Sequence, residues 1–428
     1  WEKITMKLNK HLTLALGLGM LTSMSFAQKA KVVSAYNYNK SFERDRDCSE
    51  LIKGLESIKP ATKDPKTMNE AKTWYYGGNL YFNSLISDDE ACKKGYPDAL
   101  TKTYEYYMKA LQLNIESPSV SNLDLNKDED MMKFAQVLNA KDTKHGDLTY
   151  KFAIMQNKFP FLANAYINTG VQAFQSKDYE MAKSYSEKSI LINGLIGRLD
   201  TLGMYNAALA SENLKKYDEA LTYYSVLSQV GYGGADIYMY MANTLAKKGD
   251  TLKRIEVIQA GLEKYPDNSD LMVEELSYLL SSGQSEKAMA NFDKAIAAMP
   301  NNPSLYYNRG YTYEKLGEIE KAAKDYNKAV EVDPTFFDAA YNLGAMYYNL
   351  GVESNNKASS YGLDETAKYE ASLKKAKEYF ALAMPALEKA HKINPDDQST
   401  MASLISIYSR VGEEGKYNEM KAKIESKR

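Results

Sequence analysis

The sequence predicts an all-α protein, a right-handed α-solenoid in which about seven antiparallel helix pairs stack one on the next between capping helices. Three observations predict it. Prolines at 266, 300 and 334 stand 34 residues apart, and each closes a stretch with apolar residues at helical spacing. Within such a stretch a short break, for example Leu316-Gly317-Glu318, divides two helical periods, which makes a helix hairpin. The chain also holds 35 tyrosines in 428 residues, far above ordinary usage, as expected if Tyr is the large packing residue of a repeated unit.

The clearest unit is 303–336. Tyr306, Gly310, Tyr313, Gly317, Ala322, Tyr326, Ala329 and Pro334 stand at its fourth, eighth, eleventh, fifteenth, twentieth, twenty-fourth, twenty-seventh and thirty-second places. Small residues are needed where two helix backbones cross, hence Gly310 and Ala322, while the tyrosines fill the space between helices. A helical Gly costs about 1 kcal/mol relative to Ala, so Gly310 serves close approach rather than propensity. This spacing resembles the tetratricopeptide repeat (TPR), and the resemblance implies a TPR superhelix whose work is to bind other proteins.

Along the chain, residues 1–27 read as an N-terminal extension followed by a secretory signal peptide. Lys7 and Lys10 follow Met6, an apolar run covers 12–20, and Ser25-Phe26-Ala27 suits cleavage before Gln28. The run is too short to span a membrane, so no integral membrane segment is expected after its removal. Residues 28–68 form an N-terminal cap, one helix closed by Pro60 with Leu51, Ile52, Leu55 and Ile58 on a face. Trp74, Gly78 and Tyr81 open a divergent unit at 69–114, with an insert from Ser87 to Asp98. The stretch 115–160 fits the repeat poorly and reads as an irregular helical connection: a polar loop to Asp130, a helix from Met131 to Leu138 and another from Leu148 to Gln156 before Pro160. Asp124, Asn126 and Asp128 alternate as in a calcium loop, but Glu129 and Ala135 occupy places where such a loop needs Gly and Glu, so a solvated loop is expected.

The repeat array occupies 161–412, with units near 163–196, 201–234, 235–268, 269–302, 303–336 and 337–397. Arg254 stands at a small-residue place, which puts close packing of that unit in question, and polar residues from Glu353 to Leu363 predict a looped insert in the last. A charged helix at 413–428 caps the end.

Composition narrows the function. Net charge is −2, and removing 1–27 takes three lysines and one glutamate, so neither nucleic acid nor an anionic membrane surface is a natural partner. Beyond residue 27 the histidines are His145 and His391, both expected to be solvated, and no phosphate loop, nucleophile elbow or metal-spaced cluster occurs. No catalytic residue, cofactor or metal is expected. The reading is a non-catalytic interaction scaffold of the bacterial cell envelope, in the periplasm of a Gram-negative cell or secreted from it. The alternatives are a carbohydrate or cell-wall binder and an accessory subunit of an envelope enzyme. Cys48 and Cys92 are brought to the same end of packed helices, which leaves open a disulfide or two separate thiols.

The resemblance also places a binding surface. In TPR proteins the fifth, sixth, ninth and twelfth residues of a unit face a bound peptide. Here these include Tyr205 and Asn206; Tyr307, Asn308, Tyr311 and Glu314; and Tyr341, Asn342 and Tyr348. Asn can pair with a peptide backbone, and Tyr offers rigid area with a polar tip. The Lys and Arg of a chaperone-type carboxylate clamp are missing from these places, so selection for a C-terminal carboxylate is not expected.

Overall fold

The computed structural model describes residues 29–425. The signal peptide, the cleavage point and the residues before Met6 lie outside them. Among the described residues every element is helical, apart from one isolated bridge between Ile115 and His145. No helix among them is long and apolar enough to cross a membrane. The chain divides into two compact bodies, the first ending at Gly233 and the second beginning at Gly234.

In the first body, α1 (29–45) and α2 (Cys48–Ala61) replace the single capping helix that the sequence suggests. Arg46 takes a left-handed φ of 58°, and the Asp47 carboxylate then accepts from the Ser49 amide to start α2. Pro60 lies inside α2 rather than closing it. Next come α3 (Ala71–Ile86), the short α4 (Glu90–Lys94) and α5 (Ala99–Asn114). Added Cβ atoms on Gly77 and Gly78 would fall 2.5 and 2.6 Å from Tyr106 and Tyr107, so the two glycines let α3 press against α5. The irregular stretch holds α6 (Pro118–Ser121), α7 (Asp128–Asn139) and α8 (Leu148–Phe152). A wide π-type turn, Ala153–Lys158, carries α8 directly into α9 (Phe159–Gln175), where Pro160 sits in the first turn; it therefore opens a helix instead of ending one. Then follow α10 (Tyr179–Leu195), α11 (Thr201–Asn213) and α12 (Tyr217–Gln229). His145 is half-buried rather than solvated: its Nε2 lies 3.1 Å from the Lys151 ammonium.

The second body is a succession of hairpins: α13 (Ala235–Lys248) with α14 (Thr251–Lys264), α15 (Ser269–Ser281) with α16 (Ser285–Ala298), and α17 (Pro303–Lys315) with α18 (Ile319–Val332). After them α19 (Phe337–Ser359) pairs with α20 (Thr366–Ile393), and α21 (Gln398–Val411) with α22 (Glu414–Glu425). These are stacked antiparallel pairs of the α-solenoid type. A Cβ on Gly310 would sit 3.2 Å from the Ala322 carbonyl, so the α17 and α18 backbones cross where the small residues fall. Tyr326 is fully buried and donates its hydroxyl to Glu314 at 2.6 Å. Arg254, at its anomalous place, turns to pair with Glu274 of the next hairpin.

The predicted loop from Glu353 is instead helix as far as Ser359. Gly351 lets α19 lie against Phe380, where a Cβ would meet the ring at 2.7 Å, and the long α20 gives the extra turns a surface to pack on.

Candidate functional site

A cleft of about 640 Å³ opens between α15 and α17, floored by α16. Its apolar lining includes Val273, Leu276, Leu280, Phe292 and Leu305, and its polar lining includes Ser277, Asn308 and Lys315. Spaced three to four residues apart, Val273, Leu276 and Leu280 share one face of α15, and Leu305, Asn308 and Thr312 line up in the same way on α17. Phe292 is buried and closes the floor. Tyr311 stands at the mouth, 43% exposed, with the Lys315 ammonium 5.0 Å from its ring centroid. The cleft therefore combines a greasy base, one side-chain amide, one phenol and one cation. That set can hold an apolar side chain and pair with the backbone beside it.

The nine residues assigned to a groove from sequence separate into two groups. Asn308 and Tyr311 line this cleft. Asn206 lines a smaller one in the first body, about 190 Å³, with Gly170, Val171, Phe174 and Leu209 around it; its amide nitrogen there is buried without a partner. The others are engaged within the protein. Asn342 donates to the Tyr307 hydroxyl at 2.9 Å, and burial raises the Tyr307 phenol above its ordinary pKa. Glu314 accepts from Tyr326, Tyr341 stacks on Phe337 at 5.7 Å, and Tyr348 donates to Ser406 at 2.9 Å. Tyr205 packs near Tyr232, 6.1 Å between centroids. Tyr307 and Tyr348 are drawn to the next hairpin because Tyr is long enough to span the gap.

Sequence reasoning missed the α15 wall. Val273, Ser277 and Leu280 occupy the fifth, ninth and twelfth places of the unit begun at Ser269, so the positional rule reaches them, but two of the three are aliphatic and read as core. Lys315, one place beyond the rule's last position, supplies a cation that the rule does not reach.

Cys48 and Cys92 are joined by a disulfide, with Cα atoms 5.2 Å apart. The start of α2 and the short α4 hold them there, within the bridging range. Asp89 completes a three-residue group with metal-ligand chemistry, all ligand atoms within 4.8 Å of one another, but the bond commits both sulfurs to each other.

Comparison with known proteins identifies the repeat. The tetratricopeptide repeat model matches 303–336, and a second model, described as a TPR repeat, matches 279–317. No curated protein matches the sequence. Solved structures similar to the chain include a TPR repeats protein from Bacteroides fragilis, 22% identical, covering 58% of this chain and 98% of its own at a TM-score of 0.32. YrrB, a TPR protein with an unusual peptide-binding site, is 21% identical over 44% of this chain and 93% of its own, TM-score 0.34. MamA from Desulfovibrio magneticus is 21% identical over 44% and 95%, TM-score 0.32. The two matched models adjoin the α15/α17 cleft, and the close Gly310–Ala322 crossing supplies the physical reason for the pattern they match: the chain carries tetratricopeptide repeats between residues 279 and 336.

Proposed function

We propose that the protein is a non-catalytic interaction scaffold of the bacterial cell envelope that holds an extended segment of a protein partner in the α15/α17 cleft. The observation that carries this is the cleft itself, where two successive first helices leave a space lined by apolar side chains with Asn308 and Tyr311 at its edge. A peptide side chain buried there gains from removal of apolar surface, and Asn308 can both donate to and accept from the peptide backbone. Export is supported by the basic, apolar and small-residue succession before Gln28 and by the disulfide, which suits an oxidising compartment. Carbohydrate stacking is less well supported, because the Tyr307, Tyr341 and Tyr348 rings pack inside the second body.

The test places a photoreactive side chain at Ser277, inside the cleft, and identifies by mass spectrometry what it captures in the native envelope. Crosslinks to one segment of one partner, weakened tenfold or more by Asn308→Ala with Tyr311→Ala, are the expected result. Undiminished capture by a folded double variant moves the binding surface elsewhere.

A further inference from the structure

A second cleft, about 260 Å³, lies in the first body between α5, α10 and residues 123–126, away from the first helices of the repeat array. Tyr104, Met108 and Gln112, four residues apart, form its α5 wall; Lys188 reaches it from α10, and Leu123 and Leu125 come from the opposite loop.

Its charges are unevenly satisfied. Both carboxylates of the lining already have a lysine outside it: Glu105 pairs with Lys102 at 2.7 Å, and Asp124 faces Lys127 at 4.0 Å. The two lining lysines have no carboxylate within ion-pair distance among the described residues. Lys109 donates to the Gln112 side-chain carbonyl at 2.9 Å, and Lys188 lies over the Tyr104 ring, 4.6 Å from its centroid. Gln112 cannot turn to help a ligand, because its amide nitrogen donates to the Val120 and Leu123 carbonyls. Tyr104 is 7% exposed, and its hydroxyl is buried with no partner. A half-buried ammonium with no carboxylate in direct contact costs free energy, and so does an unpaired buried hydroxyl. Burial lowers the affinity of both lysines for their protons, an effect that Glu105 and Glu187 oppose at Lys188. Two ammonium groups with N–H donors to spare and one unpaired hydroxyl around one space have a common remedy.

We infer that this cleft binds a carboxylate carried on a short apolar stem, with Lys109, Lys188 and the Tyr104 hydroxyl as its donors and Met108, Leu123 and Leu125 against the stem. The apolar wall selects a carboxylate over inorganic phosphate, which has no stem to bury. Such a group comes from a free short-chain acid or from an acidic side chain of a bound chain.

Methyl NMR of the whole protein, read at the Met108 methyl, tests the inference with butyrate, its uncharged isostere butyramide, and inorganic phosphate. Saturable shifts with butyrate and none with butyramide are expected. Lys109→Gln and Lys188→Gln should each weaken butyrate about tenfold or more. Tyr104→Phe should weaken it as well while leaving the melting temperature unchanged or raised, since the hydroxyl has no partner to lose. Blocked tripeptides with a central Glu or Gln separate the sources: a Glu peptide binding more tightly than butyrate assigns the site to a partner's side chain, and the reverse order assigns it to a free acid. Equal shifts with butyramide, phosphate binding as tightly as butyrate, unaffected lysine variants, or no response to either butyrate or the Glu peptide would each overturn the inference.

Discussion

The hairpin 303–336 and the connection 115–160 are held in opposite ways. In the hairpin the fixing contacts are short in sequence: Tyr326 to Glu314, twelve residues apart, and Arg309 to Asp325, sixteen apart, with nitrogen–oxygen distances of 2.7 and 2.8 Å. The connection has short ties too, such as Lys151 to the Leu138 carbonyl thirteen residues away, but it adds long ones. Asn114 binds both backbone groups of Asp147, thirty-three residues away, and Asn139 donates to the Leu195 carbonyl, fifty-six away. Local contacts can repeat with the sequence, whereas distant ones depend on everything between them. The first kind should fail locally and the second collectively.

The largest expected effect sharpens that contrast. Tyr107 and Tyr326 are both fully buried, and truncating either to Ala should cost about 3–5 kcal/mol. For Tyr326→Ala, hydrogen exchange should rise in α17, α18 and the hairpins beside them and little beyond. For Tyr107→Ala the whole first body should loosen, because α5 packs on α3, α6, α8 and α9. Trp74, the tryptophan of the described residues, reports this through its fluorescence; its ring meets Tyr106 edge-on at 5.0 Å. Loss of protection throughout the second body after Tyr326→Ala would break the comparison.

Next in size is the disulfide. It closes a loop of 44 residues, so Cys48→Ser with Cys92→Ser should cost about 4 kcal/mol by the chain-entropy relation. The Trp74 transition should move to lower denaturant concentration, and the helical signal of the second body should melt as before. An unmoved Trp74 midpoint would show that packing of α2 on α3, rather than the crosslink, holds this end.

These contrasts also explain what the sequence made legible. The helix pairs could be read because a steric need, close crossing at Gly310 and Ala322, recurs every 34 residues. The break at Arg46 could not, since a left-handed Arg carries no Gly or Pro signal. Pro60 and Pro160 misled for a related reason: a proline is tolerated in the first turn of a helix, as at Pro160, and can be accommodated near an end, as at Pro60. The α15/α17 cleft was half legible. Position in the repeat selects the residues, but which Tyr faces outward depends on the neighbour it can reach, as Asn342 does for Tyr307. The cleft of the first body left no trace in the pattern, because Lys188 of α10 is distant in sequence from α5 and the loop that follows it.

Single polar contacts should show the same asymmetry on a smaller scale. Asn114→Ala removes the donor and the acceptor that fasten Asp147, at 2.8 and 2.9 Å, and should cost the first body about 2 kcal/mol. Asn302→Ala removes only the cap that accepts from the Ser304 amide at 3.1 Å, and should cost about 1 kcal/mol, confined to the start of α17. Urea titration followed by Trp74 for the first variant, and by hydrogen exchange in α17 for the second, measures both. Equal costs would mean that the connection is no more dependent on its distant tethers than a repeat is on its caps.

The smallest effect concerns pH and the same connection. Burial first, then the Lys151 ammonium, holds the His145 imidazole below its ordinary value of about 6.5. The folded state therefore binds that proton less readily than the unfolded chain does. Its contribution is fully present above about pH 6.5 and is lost as pH falls from there through the lowered folded value. Burial lowers the affinity of Lys151 for its proton too, from an ordinary value of 10.5. His391 belongs to the second body, so the Trp74 signal separates the two histidines. Between pH 7 and the onset of carboxylate titration, the first body should lose stability gradually, and His145→Gln should flatten that slope without moving the curve for the second body. A slope that survives the substitution would assign the proton to another group. Stability that rises as pH falls would mean the imidazole is better charged than neutral in the fold, and the contact with Lys151 could not then stand as described.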